Sequence, residues 1–262
     1  MPLHTVLIAT LALLGPVSGD VGPKCPADLV RYCEEIAHLT ENAAVRRALE
    51  YVEATDAEAL RDLITLTEIP APPFKEEVRA RKYAEMLREA GADSVWIDEV
   101  GNVIALRRGQ VGGRVLAVSG HLDTVFPEET DVTVRQRGDT LYAPGIVADT
   151  RGLVAVPYIL RALEAAQLEA ASDVPFIGTV GEEGLGDLRG VKHLFRAGGP
   201  RLDAFISIDG GGDRRIVHQA LGSRRYRVTF KGPGGHSWGA FGMANPSHAL
   251  GRAIAIFDRE AD

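Results

Sequence analysis

At 262 residues, 45% of them apolar and 25% charged, the chain can bury a substantial core, as one large domain or one and a half ordinary ones, and its composition is not that of a disordered chain. A net charge of −7 excludes the basic footprint of a nucleic-acid-binding protein.

The chain opens with Val6-Leu7-Ile8-Ala9-Thr10-Leu11-Ala12-Leu13-Leu14, an apolar core fit for an export signal and far too short to span a bilayer. Gly15-Pro16 breaks it and Val17-Ser18-Gly19 offers small residues for cleavage, although no Lys or Arg precedes it. Residues 1–19 are therefore predicted to be a signal peptide of a secreted or periplasmic protein, with no membrane association after its removal. Cys25 and Cys33 follow; in an exported protein they could pair locally or remain separate thiols, and they make a poor metal pair.

Residues 20–55 read as a helical N-terminal segment, with Leu29, Tyr32, Cys33 and Ile36 at helical spacing. Asp56 is placed to cap a helix carrying Leu60, Leu63 and Ile64, which Ile69-Pro70-Ala71-Pro72-Pro73 ends. A helix over 76–90 closes at Gly91. Strands are predicted at 94–98, 102–106 and 114–118, then a helix over 150–167 that Pro157 should kink. Strand, helix and strand follow, the strands at 176–180 and 204–208. This alternation predicts an α/β fold, a mainly parallel mixed sheet flanked by helices, over residues 56–221. From 222 the pattern changes. Arg225-Tyr226-Arg227-Val228-Thr229-Phe230 alternates as a half-exposed strand does. Gly232-Pro233-Gly234-Gly235 forms a loop, and Asn245-Pro246 starts an amphipathic helix with Leu250, Ile254 and Phe257. Residues 222–262 thus read as the start of a smaller α+β domain.

Chemistry gathers where apolar runs end: His121-Leu122-Asp123 after 115–118, Glu182-Glu183 after 176–180, Asp209 after 204–208, and Asp149 before the long helix. In an open α/β sheet such tips face the crevice where ligands bind. One imidazole among several carboxylates calls for a cation between them, and this donor set suits zinc, with manganese or cobalt possible. Asp123, two residues past His121 on one strand face, can accept the second ring N–H of His121. Asp149 can bridge two ions. Glu182 and Glu183 cannot point the same way from an extended tip, so one would bind metal and the other hold a proton, as metal-assisted hydrolysis requires. Singly, each of these carboxylates reads as a solvated loop residue or helix cap. His38, His193, His218 and His248 read as surface or satisfied histidines, and Asp209-Gly210-Gly211-Gly212-Asp213 lacks the full calcium-loop pattern. Gly235-His236-Ser237-Trp238-Gly239 fits the G-x-S-x-G elbow of serine hydrolases, but no helix follows it directly and the partner order is wrong.

Together, Ser119-Gly120-His121-Leu122-Asp123-Thr124-Val125, Gly145-Ile146-Val147-Ala148-Asp149-Thr150-Arg151-Gly152, Gly181-Glu182-Glu183-Gly184, Ile208-Asp209-Gly210 and Gly232-Pro233-Gly234-Gly235-His236-Ser237 resemble the M20 metallopeptidases, co-catalytic di-zinc exopeptidases. The resemblance covers residues 119–245 and implies the zinc exopeptidase fold with a lid or dimerisation domain, and a homodimer through that domain. It implies two Zn2+ ions, one on His121 and Asp209, the other on Glu183 and a histidine the family places near its C-terminus, with Asp149 bridging. It implies Glu182 as general base, Asp123 behind His121, His236 steadying the oxyanion of a substrate in the partner subunit, and Asn245 at the substrate carboxylate. Asp at position 209 is closer to the aminopeptidase and dipeptidase branches than to the deacetylases. The last histidine ligand and part of the lid are absent, so the chain is expected to be a C-terminally truncated, inactive form. The expected function is hydrolysis of short peptides from their amino end. The alternatives are removal of acyl groups from amino acids by the same fold, a serine hydrolase using Ser237, and a non-catalytic remnant.

Overall fold

The computed structural model describes residues 29–110, 112–210 and 215–261. The expected signal peptide and Cys25 lie outside them. The chain divides into two units, Met1–Arg215 and Ile216–Asp262.

Among the described residues of the first unit, four helices precede the sheet: α1 (Val30–Glu41), α2 (Ala43–Ala54), α3 (Asp56–Thr67) and α4 (Glu77–Glu89). The Asn42 side chain separates the first two by accepting from the Ala44 and Val45 amides, an N-cap that satisfies two otherwise orphan donors. Asp56 is not the cap expected of it. Thr55 takes that position without a side-chain bond, and Asp56 is the first helical residue, where with Glu58 it opposes the positive end of the helix dipole. Gly91 follows α4 with φ +97°, the left-handed conformation that ends helices cheaply only at glycine.

The strands are β1 (Ser94–Ile97), β2 (Val103–Arg107), β3 (Leu116–His121), β4 (Arg135–Arg137), β5 (Thr140–Tyr142), β6 (Val174–Thr179) and β7 (Ala204–Ser207). Five form one mixed sheet in the order β1-β2-β6-β3-β7. Its first two pairings are antiparallel, while β6-β3 and β3-β7 are parallel. β3 extends further than expected, through His121 itself. β4 and β5 make a separate hairpin around Gly138-Asp139 that the polar residues 135–142 had concealed.

Between β3 and β6 the chain makes a π-helical turn (Ile146–Thr150) and then α5 (Arg151–Ala165), which continues through Pro157. Between β6 and β7 it makes α6 (Arg189–Leu194). The first crossover steps to one side of β3 and the second steps back over it. Two right-handed crossovers in opposite directions put their helices on opposite faces. The core agrees: Val103, Val118 and Phe176 pack with Leu87 of α4 and Leu153 of α5, whereas Ile104, Ala117 and Ile177 pack with Leu194 of α6. β3, the middle one of the three parallel strands, is therefore the switch point of the sheet, and its carboxyl tip opens into a crevice.

The second unit contains α7 (Pro246–Glu260). Asn245 caps it by accepting from the Ser247 amide at 2.8 Å, and Pro246 occupies the first turn, where its missing N–H costs nothing. The strand expected over 225–230 does not form. Its alternation is real, but alternation does not supply a neighbouring strand, and residues 225–230 take no regular secondary structure. Tyr226 and Val228 remain 79% and 62% exposed. No helix of the described residues is long and apolar enough to cross a membrane.

Candidate metal centre

The carboxyl ends of the three parallel strands deliver the polar groups to one edge. His121 is the last residue of β3, Glu182 and Glu183 follow β6, and Asp209 follows β7. Asp149 arrives from the turn before α5. Its carboxylate Oδ2 accepts from the His121 amide at 3.3 Å and lies 3.2 Å from His121 Nε2. Glu182 Oε2 is 3.9 Å from the same nitrogen. Potential ligand atoms of His121, Asp149 and Asp209 all lie within 4.8 Å of one another, and so do those of His121, Glu182 and Glu183. His121, Asp123 and Asp149 are 4%, 0% and 1% exposed.

The two glutamates differ from expectation. Both bring a carboxylate near His121, because they sit in an irregular turn and not on an extended tip. Gly181, at φ +68°, turns the chain away from β6 before Glu182. Asp123 holds this turn. Its Oδ1 accepts from the Glu182 amide at 3.0 Å and its Oδ2 from the Glu183 amide at 2.8 Å. The same carboxylate stands 3.5 Å from His121 Nδ1, which has no closer hydrogen-bond partner. Nδ1 thus faces Asp123 while Nε2 faces the other acids.

Burial opposes a charge on His121, but the neighbouring Asp123 carboxylate and then Asp149 and Glu182 outweigh it, lifting its pKa to about 9. Burial lifts Asp149 to about 7, against the pull of His121. Burial and the Glu182 charge raise Glu183 as well. Burial also acts on Asp123, yet the His121 ring and the two amides hold it below its ordinary value. The crowded acids therefore want a cation. Asp149 Oδ1 makes the same point structurally: it is a buried carboxylate oxygen without a hydrogen-bond donor, a costly state that a divalent ion would relieve. Imidazole and carboxylates in this grouping fit such an ion.

Several supporting residues carry no motif. Arg79 on α4 is 2% exposed and donates to the carbonyls of Ile69 and Leu122, each at 3.1 Å. Burial depresses its pKa to about 10, opposed by Asp149 and Asp123. A helical Arg among Glu and Lys reads as surface, so only the fold exposes this role. Asn102, fully buried, accepts from the Val180 amide at 3.1 Å and donates to the Gly190 carbonyl, tying the end of β6 to α6. Gly152 lets α5 approach the site. A Cβ there would lie 2.6 Å from Asp149 Oδ1 and 2.7 Å from the Ile208 carbonyl oxygen. Gly152→Ala is therefore expected to displace Asp149, costing about 1–3 kcal/mol of stability and weakening zinc binding; thermal denaturation and zinc titration check both.

His236 and Asn245 belong to the second unit. His236 Nδ1 accepts from the amides of Trp238 and Gly239 at 3.3 and 3.4 Å, which places the ring proton on Nε2. Ser237 is preceded by irregular chain and followed by turns, without the strand-to-helix elbow a serine nucleophile needs.

Residues 117–248 match the model of "Peptidase family M20/M25/M40", about half of the chain. This chain belongs to that family. The M20 region so defined runs from β3 into α7 and includes every residue of the metal centre. A Pyrococcus abyssi protein provisionally named as a LysW-lysine/LysW-ornithine hydrolase is 38% identical over 133 residues, 51% of this chain and 36% of that protein. A Pyrobaculum aerophilum protein of the same name is 29% identical over 69% of this chain and 48% of its own length. The M20 chain thus spans between about a third and a half of the curated relatives it matches. Among solved structures, the yeast (Saccharomyces cerevisiae) dipeptidase Dug1p superposes with TM-score 0.57 at 16% identity, covering 80% of this chain and 52% of that one. Aminopeptidase PepT of Bacillus cereus superposes with TM-score 0.50 at 20% identity, covering 60% and 44%. These likenesses establish the M20 fold.

Proposed function

We propose that the M20 chain carries the metal-binding half of an amide hydrolase that acts on short peptides from their amino end. The observation that carries this reading is the convergence of two ligand groups that share His121, one with Asp149 and Asp209 and the other with Glu182 and Glu183, at the switch of the sheet. His121 and Asp209 would hold one ion, Glu183 the other, and Asp149 would contact both. Zinc, or cobalt or manganese in its place, would supply Lewis-acid polarisation of the scissile carbonyl and a water acidic enough to attack near neutral pH. Glu182 takes the proton of the attacking water and passes it to the leaving nitrogen. Asp123 keeps the His121 ring turned so that Nε2 faces the acids, and anchors the amides of both glutamates. His236, with its proton on Nε2, is in this reading the oxyanion donor to a substrate in the partner subunit, and Asn245 serves the substrate carboxylate as well as capping α7.

A second reading, removal of an acyl-type group from lysine or ornithine, is favoured by the names of the archaeal relatives. Turnover of Ala-Ala-Ala against N-acyl-lysine and N-acyl-ornithine, with zinc present, separates the two; preference for the acylated amino acids overturns the peptidase reading. Among the described residues the ion on Glu183 has fewer firm ligands than the ion on His121, Asp149 and Asp209. The 262-residue chain alone is therefore expected to be inactive, and these assays use any form of the protein that turns over. Export by residues 1–19 and dimerisation through 222–262 belong to the same reading.

Ser237→Ala is expected to leave hydrolysis within about tenfold of wild type, and His236→Ala to lower it by about 10² or more, the range seen when one oxyanion donor is removed. Labelling of Ser237 by a fluorophosphonate probe would instead establish a serine hydrolase.

A further inference from the structure

The turn that carries Glu182 and Glu183 packs on an ion pair that no motif marks, its acid buried and its arginine 23% exposed. Arg189, the first residue of α6, donates from Nη2 to Glu76 Oε2 at 2.7 Å. Glu76 stands immediately before α4 and is 4% exposed. The Arg189 side chain packs closely against Gly181: a Cβ on that glycine would overlap Arg189 Nη1 and press on Cγ. The guanidinium carbon also sits 4.6 Å from the Phe74 ring centre, within cation–π range. The backbone closes the same loop, since the Arg189 amide donates to the Gly186 carbonyl and the Gly186 amide to the Glu183 carbonyl. Arg189 therefore touches the turn at its start through its side chain and at its end through its amide.

The pair is expensive. Arg189 Nη1 and Glu76 Oε1 are both buried without a hydrogen-bond partner, so half of its bonding capacity is unused. A buried ion pair with unmet valences contributes little net stability, and a packed apolar pair would hold α4 to α6 as well. What an apolar pair would not supply is a flat, rigid plate fixed in direction by a carboxylate and fitted to a bare glycine Cα.

We propose that the Arg189–Glu76 pair is the positioning device of the Glu182–Glu183 turn. The guanidinium is the floor on which Gly181 adopts its positive φ, and Glu76 fixes that floor relative to α4. Asp123 holds the turn by its two amides, and the pair holds it at Gly181. The direction in which both carboxylates leave the sheet is set between them. This inference rests on the assignment of Glu183 as a metal ligand.

The test uses Arg189→Met, Glu76→Gln, their double variant, Arg189→Lys and Glu183→Gln in the 262-residue chain. Amide hydrogen exchange at Glu182 and Glu183 is read beside titration with Zn2+ and with Co2+, whose visible spectrum reports ligation. Arg189→Met and Glu76→Gln are each expected to speed exchange at those two amides by about tenfold or more, with exchange in β3 unchanged. Each should weaken the Glu183-dependent ion by about 10–100-fold, the range for residues that orient metal ligands, and leave the other ion as it was. The double variant should be no worse than either single one, and Arg189→Lys, which keeps the charge without the plate, should fall between. Unchanged exchange in Arg189→Met or in Arg189→Lys overturns the proposal, as does faster exchange with unaltered binding of an ion that Glu183→Gln does remove. If Glu183→Gln leaves all zinc binding intact, the ligand assignment falls and the proposal with it.

Discussion

Glu182→Gln is expected to retain bound metal and lose hydrolysis by about 10²- to 10⁴-fold, the contribution of a general base. Glutamine keeps the shape of the side chain and its backbone amide, so the bond from the Glu182 N–H to Asp123 survives and the turn stays in place. It cannot accept a proton. The loss should stand toward the upper end, because one carboxylate both takes the proton from water and returns it to the leaving nitrogen. Metal analysis and hydrolysis of a test amide, measured on the same preparation of a form that turns over, decide it. Retained turnover would remove Glu182 from the chemistry. Lost metal would mean that Glu182 and Glu183 exchange roles, which their shared proximity to His121 makes a concrete outcome.

Asp123→Ala is expected to damage fold and site together. The carboxylate is fully buried and is bonded to two amides and adjacent to His121 Nδ1. Removing it leaves all three without a partner in a dry environment. Breaking such a buried charged arrangement costs roughly 3–5 kcal/mol. With the turn and the ring both released, zinc affinity should drop by about 10–100-fold. Asp123→Asn, which can still accept one of the N–H groups, should recover part of the stability. Denaturant unfolding and zinc titration of the two variants check this; equal stability of Asp123→Ala and wild type would show that the turn is held by other contacts alone.

The parallel half of the sheet was legible in the sequence because β3, β6 and β7 are apolar runs that stop at polar residues, and the positions of those stops are the positions of His121, Glu182-Glu183 and Asp209. Family resemblance added the roles, and the M20 match agrees with it. Other features were hidden for physical reasons. Alternation over 225–230 records which side chains would share a face, not whether a partner strand exists. Gly138-Asp139 lies in a polar stretch whose hairpin β4-β5 buries little, so no hydrophobic pattern announced it. Arg79 and Arg189 looked like ordinary helical surface, because the groups that bury them, the Leu122 carbonyl and Glu76, come from elsewhere in the chain. The direction of the Glu182 and Glu183 carboxylates depends on Gly181 at positive φ, which local sequence marks only as a glycine.

In the proposed function Asp149 joins the two halves of one metal centre. Calorimetric titration of the metal-stripped 262-residue chain with Zn2+, beside Asp149→Ala, tests it most directly. One tight and one weaker equivalent are expected in the wild type, and loss of the tight equivalent together with the weaker one in Asp149→Ala, since the substitution removes the carboxylate that both ions would share. Zinc binding by Asp149→Ala with the stoichiometry and affinity of the wild type would contradict it.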